Sequence, residues 1–495
     1  MRPIETLLSL ANLLTFFVLA LPRAVFWLRY WVPSALLIAI AQVLVEGARW
    51  QMLPAYALTG LFFLVWLLQN SAAVGGPAGQ TLTNRFAIGL GILGLVISVV
   101  LPIILPVFRF PQPSGPYAIG TLTYHWVDAD RLEVFSPDPN ARRELMVQIW
   151  YPAKQGSSSS PTPYLQDSDT VTSALARLHN FPAFSLKHLK YVTTHAAESV
   201  PVADDTPSYP VLIFLEGLTG YRQMNTFQVE ELVSHGYIVV GIDQPGAAAA
   251  VVFPDGQQIA GLSKAQMEPL TQQSASPAEK APLLNGQPFK DGIIPYFAQD
   301  VSFALDQLAA INSSDPKSLL TGKLDLQHIG IFGVSYGGMV GAQACLQEPR
   351  LEACLVMDVL MTAAVVQQGL QQPSMWITRD ADTMRLEREK AGGWTEQDIE
   401  QTQTTMRTVY ESLPGDGYFV QVPGMFHIDL TDLTYLSPIF PKIGFSGPIG
   451  SQRAHSIINA YSLAFFDRHL KDHPVALLAG PAVQYPEVLF EARRP

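Results

Sequence analysis

Residues Ile331–Val340 read IFGVSYGGMV, and this stretch constrains the fold more than any other in the chain. Gly333-x-Ser335-x-Gly337 follows the strand-like run HIGIFG and leads into the helix-like MVGAQACLQ. The spacing predicts a strand–turn–helix passage with a serine at its apex. Such a turn holds the serine at strained backbone angles and brings strand and helix close, so the flanking positions must lack side chains. Gly333, Gly337 and Gly338 meet that requirement. The hydroxyl then projects above the sheet at the start of a helix, whose dipole favours developing negative charge. Ser335 is the candidate nucleophile.

A serine hydroxyl at its free pKa is a poor nucleophile, so a base is required, and an acid to orient that base. After an elbow of this type the chain order is serine, then Asp or Glu, then His. His125, His179, His188, His195, His235 and His328 precede Ser335 and fall outside that order. His427 follows the strand-like YFVQV and the turn PGMF, the loop position where the base belongs. His455, His469 and His473 lie in or beside a terminal helical stretch and are expected to pack or to be solvated. The acid has two candidate places. Asp358 ends the run ACLVMD, 23 residues after Ser335, while Asp380 and Asp382 end the next run, SMWITRDAD. Pattern alone leaves both open. The spacing in HIDLTD fits no common ligand set, so no metal or organic cofactor is expected.

Apolar runs recur around these motifs: Leu145–Trp150, Val211–Leu215, Ile238–Ile242, Ile329–Phe332, Cys354–Met357, Met375–Thr378 and Phe419–Val422. Helical stretches fall between most of them, as at Ala298–Ile311 and Met339–Gln347. This rhythm predicts a mainly parallel sheet with helices on both faces. Two polar stretches, Gln155–Pro163 and Gln272–Gln287, read as mobile surface loops, and Phe253–Tyr296 is long enough to form part of a lid. Cys345 and Cys354 read as small buried apolar residues rather than as a disulfide or metal pair.

The first hundred residues are different in kind. Ala87–Phe108 is an uncharged apolar run long enough to cross a bilayer. Leu53–Leu68 is a second, shorter run, with Trp50 and Trp66 placed as interfacial anchors, and Val32–Val45 and Leu7–Leu21 are shorter still. Four such segments in succession leave no polar face for water, so three or four membrane spans are expected over residues 1–109, followed by a soluble domain over 110–495. The Pro/Gly-rich FPQPSGP marks the boundary. Residues 1–108 hold five arginines against two glutamates, a balance of +3 that leaves −14 of the net −11 for the remainder. An acidic main domain excludes nucleic acid as the expected partner. With four spans the basic residues divide evenly between the two sides. Three spans with an inside start would place the large domain outside the cell, as part of a multi-pass cell-membrane protein.

The motif blocks resemble those of the platelet-activating factor acetylhydrolase family, serine esterases of the α/β-hydrolase fold. YPVLIFLEGLTGYR (Tyr209–Arg222) is similar to that family's strand and oxyanion loop, and ELVSHGYIVVGID (Glu231–Asp243) to the helix and strand that follow. GVSYGG matches the elbow, and MFHIDLTDLTYL matches the histidine segment, with Asp432 five residues after His427. The resemblance, over roughly residues 115–475, implies Ser335 as nucleophile, His427 as base and Asp358 as acid. It also implies that the backbone N–H groups of Leu218 and Tyr336 form the oxyanion hole. One departure is visible: the family's oxyanion strand ends in His-Gly, and here it ends in Glu216-Gly217. The reading that follows is a membrane-anchored serine carboxylic ester hydrolase acting on a small-molecule or lipid ester. A peptidase or dienelactone-type hydrolase on the same fold, and an inactive scaffold that binds at the membrane, are the alternatives.

Overall fold

The computed structural model describes residues 1–20, 30–70, 85–156 and 160–494. It divides into two compact units, one of residues 1–108 with 184–192 and 435–439, the other of 109–183, 193–434 and 440–495.

The first unit is built on four helices: α1 (Pro3–Ala20), α2 (Val32–Val45), α3 (Leu53–Asn70) and α4 (Arg85–Ile104). Their outward faces are apolar, while Glu5, Ser9, Asn12, Gln42 and Thr59 are buried between them. Leu10, Leu37, Leu44 and Leu93 are each more than half exposed, an arrangement that water does not support. Pro3–Ala20, Trp50–Leu68 and Ala87–Ile104 are long and apolar enough to cross a membrane, and Val32–Val45 is a shorter apolar helix. Leu21, Arg23 and Arg29, which enter the reading of spans and sidedness, lie outside the described residues. One end of the bundle is tied by charge. Arg49 and Glu5 form a buried ion pair at 2.7 Å, Arg2 meets Glu5 at 2.8 Å, and Glu46 accepts the Ile4 N–H at 2.7 Å.

The second unit is organised by an eleven-stranded sheet. Its strands are β1 (Ala118–Leu132), β2 (Arg142–Ala153), β3 (Pro161–Pro163), β4 (Thr193–Glu198), β5 (Tyr209–Leu215) and β6 (Ile238–Asp243). They continue with β7 (Leu324–Val334), β8 (Ala353–Met357), β9 (Ser374–Thr378), β10 (Gly417–Gln421) and β11 (Leu489–Arg493). The spatial order is β11-β10-β9-β8-β7-β5-β6-β2-β1-β4-β3. From β10 to β6 all neighbours are parallel, and antiparallel pairs close both sides. The parallel strands are the near-continuous apolar runs of the sequence, buried on both faces. On one face Val211, Ile213 and Leu215 pack with Phe297, Val301 and Met339 from helices Ile294–Ser313 and Tyr336–Gln347. On the other, Phe214, Phe332 and Phe466 form an aromatic row, the last from helix Ser451–Leu470.

The sequence reading found the parallel core and passed over β1, β3, β4 and β11. The last five residues of β1 (DADRL) are largely charged, β3 is a proline-flanked edge, and β11 is mostly exposed, so none carries the apolar run that marks a central strand. The loop readings need correction too. Gln155–Pro163 ends in β3, with residues 157–159 outside the described residues. Gln272–Gln287 begins in the last turn of helix Lys264–Ala275 and includes a short pairing of Leu283–Leu284 with Gln287–Pro288. Gln273 fastens that stretch, donating to Ala278 O (3.0 Å) and Lys290 O (2.8 Å), while Met267 and Leu270 join the core. Polar composition hid an amide clamp that only folding closes. Cys345 and Cys354 are both free and buried.

Candidate active site

Strand register assembles the site. Gly333 of β7 pairs with Leu215 of β5, and Val334 pairs with Met357 of β8, so the C-terminal ends of three parallel strands lie side by side. Ser335 and Asp358 are the next residues on β7 and β8. Ser335 donates its N–H to Met357 O at 2.8 Å, which fixes it beside the aspartate. Its backbone angles, φ 54° and ψ −125°, are sparsely populated for a residue with a side chain, a conformation that costs on the order of 1–3 kcal/mol. The glycines are required by contact. A Cβ on Gly333 would stand 2.3 Å from Gly337 O, and one on Gly337 would stand 2.2 Å from Leu215 O.

His427 reaches Asp358 across 69 positions of sequence, with Nδ1 2.6 Å from Oδ2. A carboxylate only accepts, so Nδ1 carries the proton and Nε2 presents a lone pair. The imidazole is partly exposed, while the carboxylate is fully buried. Asp358 Oδ1 accepts the Thr378 hydroxyl at 2.8 Å. Asp380 and Asp382 lie elsewhere: Asp380 caps helix Ala381–Ala391 through Thr383 (2.9 Å to N, 2.7 Å to Oγ1), and Asp382 pairs with Arg385 on the surface at 2.9 Å.

A cation that sequence reasoning overlooked stands behind the pair. Arg379, immediately before Asp380 and fully buried, places Nε 2.8 Å from Asp358 Oδ2 and also pairs with Glu387. Glu387 in turn accepts the His427 backbone N–H at 3.1 Å. Trp394 completes the wall, edge-on to His427 at 5.3 Å and with its ring centre 5.0 Å from the Arg379 guanidinium. The signal was a charged residue in the apolar run SMWITRDAD, but the neighbouring aspartates drew the reading.

Burial by itself would raise the Asp358 carboxyl. The Arg379 charge, the His427 contact and the Thr378 hydroxyl outweigh it and hold the group well below the usual carboxylate range. A depressed carboxyl contributes stability above its unfolded pKa of about 3.9, lost as pH falls through the folded value. Arg379→Gln leaves two buried carboxylates without their cation, at a cost of about 3–5 kcal/mol. The variant is expected to melt at a lower temperature at neutral pH and to begin acid unfolding at a higher pH than the wild type. Circular dichroism melts in detergent over a descending pH series check this, and superimposable curves reject it.

The loop after β5 faces the serine: a Cβ on Gly217 would lie 3.4 Å from Ser335 Cβ. Thr219 N–H donates to Ala247 O (2.7 Å) and Gly220 N–H to Gly217 O (2.8 Å), while the Leu218 and Tyr336 N–H groups make no hydrogen bond among the described residues. Tyr336 is the first residue of its helix, where the N–H has no intrahelical partner. Glu216 is buried and accepts the Gln244 N–H at 3.2 Å; burial, with Asp243 nearby, pushes its carboxyl well up. Asp432 accepts from Thr226 N (2.7 Å), Phe227 N (3.2 Å) and Tyr164 Oη (3.1 Å), tying the histidine segment to helix Thr226–Ser234.

An elbow serine on a mainly parallel sheet, with a histidine–aspartate pair delivered to the same strand ends, defines a chain of the α/β-hydrolase class. The family profile described as platelet-activating factor acetylhydrolase, isoform II, matches residues 104–475, and the chain belongs to that family. It is 21% identical over 390 residues to the platelet-activating factor acetylhydrolase of Gallus gallus, covering 73% of this chain and 84% of that protein. A probable 1-alkyl-2-acetylglycerophosphocholine esterase of Arthroderma benhamiae is 23% identical over 436 residues, covering 81% of this chain and 98% of that one. Among solved structures, a ferulic acid esterase from Streptomyces cinnamoneus superposes with a TM-score of 0.59 at 25% identity, covering 78% of this chain and 99% of that one. The protein is a carboxylic ester hydrolase.

Proposed function

We propose that the chain is a membrane-anchored esterase in which Ser335, His427 and Asp358 act as nucleophile, base and acid. The observation that carries this reading is the 2.6 Å contact of His427 Nδ1 with Asp358 Oδ2, at the strand end in register with the elbow serine. His427 Nε2 takes the Ser335 proton as the hydroxyl attacks the ester carbonyl. Asp358 holds the imidazole in the required tautomer and stabilises the imidazolium. The Leu218 and Tyr336 N–H groups receive the developing oxyanion, each donor contributing about 3–4 kcal/mol to the barrier reduction. The imidazolium then protonates the leaving alcohol, and water repeats the sequence on the acyl-enzyme. No step calls for a metal or cofactor. Arg49 meets both Glu5 and the Leu105 carbonyl, so the start of the first helix and the end of the last share one side, as an even number of crossings gives and three would not. Residues 1–109 serve as the anchor and 110–495 as the catalytic domain, on the extracytoplasmic side. The names of the relatives support an amphiphilic ester with a short acyl group, such as an acetylated glycerophospholipid, as substrate.

Labelling by a fluorophosphonate probe tests the reading. The intact chain is expected to react, with the adduct mapped to the peptide carrying Ser335. A folded protein that resists the probe would instead indicate an inactive scaffold.

A further inference from the structure

At one end of the helical unit the 3₁₀ turn Trp50–Met52 meets the segment 184–192, in which Lys187–Tyr191 form another such turn. Trp50 Nε1 donates to Ser185 O (3.2 Å), the Trp50 and Phe184 rings meet edge-on at 5.1 Å, and Tyr191 Oη donates to Ala48 O (2.7 Å). Between them lies a cavity of about 160 Å³ whose lining includes Trp50, Phe184, Lys187, His188, Lys190 and Tyr191. Arg49 also borders it, but its guanidinium is engaged by Glu5 and by the Leu105 carbonyl (2.6 Å).

The two lysines are engaged less tightly; Lys190 Nζ lies 5.1 Å from the centre of the Tyr191 ring. Both are exposed, and neither has a carboxylate partner among the described residues. Residues three apart on a 3₁₀ helix eclipse one another, so the two ammonium groups serve one face. Among the lining residues, His188 also has a buried polar atom without a partner, Nε2. His188 is 1% exposed. Its Nδ1 stands 3.1 Å from the Ser185 carbonyl, which only accepts, so Nδ1 holds the proton and Nε2 offers a buried lone pair. Burial, reinforced by the Arg49 charge, pushes this histidine down to about 4 and keeps the ring neutral.

Two ammonium groups without a carboxylate partner among the described residues, a buried acceptor and an aromatic pair stand at the rim of helices whose outward faces are apolar. We propose that this cavity binds the headgroup of a phospholipid whose alcohol carries a hydrogen-bond donor, ethanolamine or glycerol. Lys187 and Lys190 take the phosphate, and His188 Nε2 accepts from the amine or hydroxyl. Trp50 and Phe184 sit at the depth where aromatic rings anchor at a bilayer surface, and the acyl chains follow the apolar helices. The proposal rests on the membrane reading of residues 1–109. It concerns residues of the segment 184–192 and of the helical unit, apart from the esterase site.

The test uses the full chain in nanodiscs of phosphatidylcholine with equal minor fractions of phosphatidylethanolamine and phosphatidylglycerol, and native mass spectrometry counts the lipids retained as the disc is stripped. Phosphatidylethanolamine and phosphatidylglycerol are expected to be retained over phosphatidylcholine. Phosphatidylethanolamine and phosphatidylcholine carry the same net charge, so that preference isolates the donor from simple charge attraction. Lys187→Gln with Lys190→Gln, both on exposed side chains, is expected to lower retention roughly fivefold per lysine. Equal retention of the ethanolamine and choline lipids, or retention unchanged in the double variant, overturns the site and leaves a cavity holding water. Displacement of the lipid by millimolar inorganic phosphate overturns it in favour of a free-anion site. A chain that does not enter the discs at all overturns the membrane reading itself.

Discussion

Ser335→Ala is expected to lower kcat on a short-chain aryl ester by roughly 10⁴–10⁶-fold, with the melting temperature of the detergent-purified chain preserved. The size follows from what the substitution removes. Without the hydroxyl no acyl-enzyme forms, and only binding and the oxyanion donors remain to assist direct attack by water. His427→Ala should cost about as much, because a nucleophile without its base is nearly as disabled as no nucleophile. The double variant should then be no worse than either single one, since groups that act as a unit are strongly non-additive. Multiplying losses would mean that the two residues act independently, which the proposed mechanism does not allow.

Asp358→Asn should lower kcat by about 10⁴-fold. An asparagine there keeps the shape of the site, but its amide N–H can meet Nδ1, turning the imidazole to the tautomer whose Nε2 carries the proton and is no base. The control is Asp380→Ala. That residue caps helix Ala381–Ala391 through Thr383, so its loss should cost about 1 kcal/mol of stability and leave kcat unchanged. Steady-state kinetics paired with thermal melts separate the two. Should the Asp380 variant be the one that loses turnover while Asp358→Asn stays active, the acid has been assigned to the wrong strand. Because Asp358 also meets Arg379, its variant should melt lower as well, and the kinetic loss is to be read at a temperature where both proteins remain folded.

The two carboxylates show where the sequence stops being sufficient. Both end apolar strands after the elbow, and local pattern treats them alike; the family resemblance favoured Asp358. The structure distinguishes them by register: Val334 opposite Met357 brings the residue after each strand into contact range, whereas Asp380 turns back onto its own helix. Asp432 was visible five residues after His427, but its work, holding Thr226 and Phe227 N–H groups some two hundred positions away, was not.

The sequence by itself determined what short-range sterics and periodicity dictate: the glycine-flanked elbow at Ser335, the parallel strand core, the loop bearing His427, and apolar helices that expose Leu37 and Leu44. These are properties of a few neighbouring residues, and they survive in any arrangement of the rest. Only the tertiary structure decided the pairing of Arg379 with both Asp358 and Glu387, the burial of Glu216 against Gln244 N, and the joining of Lys187–Tyr191 to the helical unit. Each of those depends on strand register and on chain segments distant in sequence meeting in one place. No local pattern records such meetings, because the partners come within reach only once the core has set the strand register and brought distant segments together.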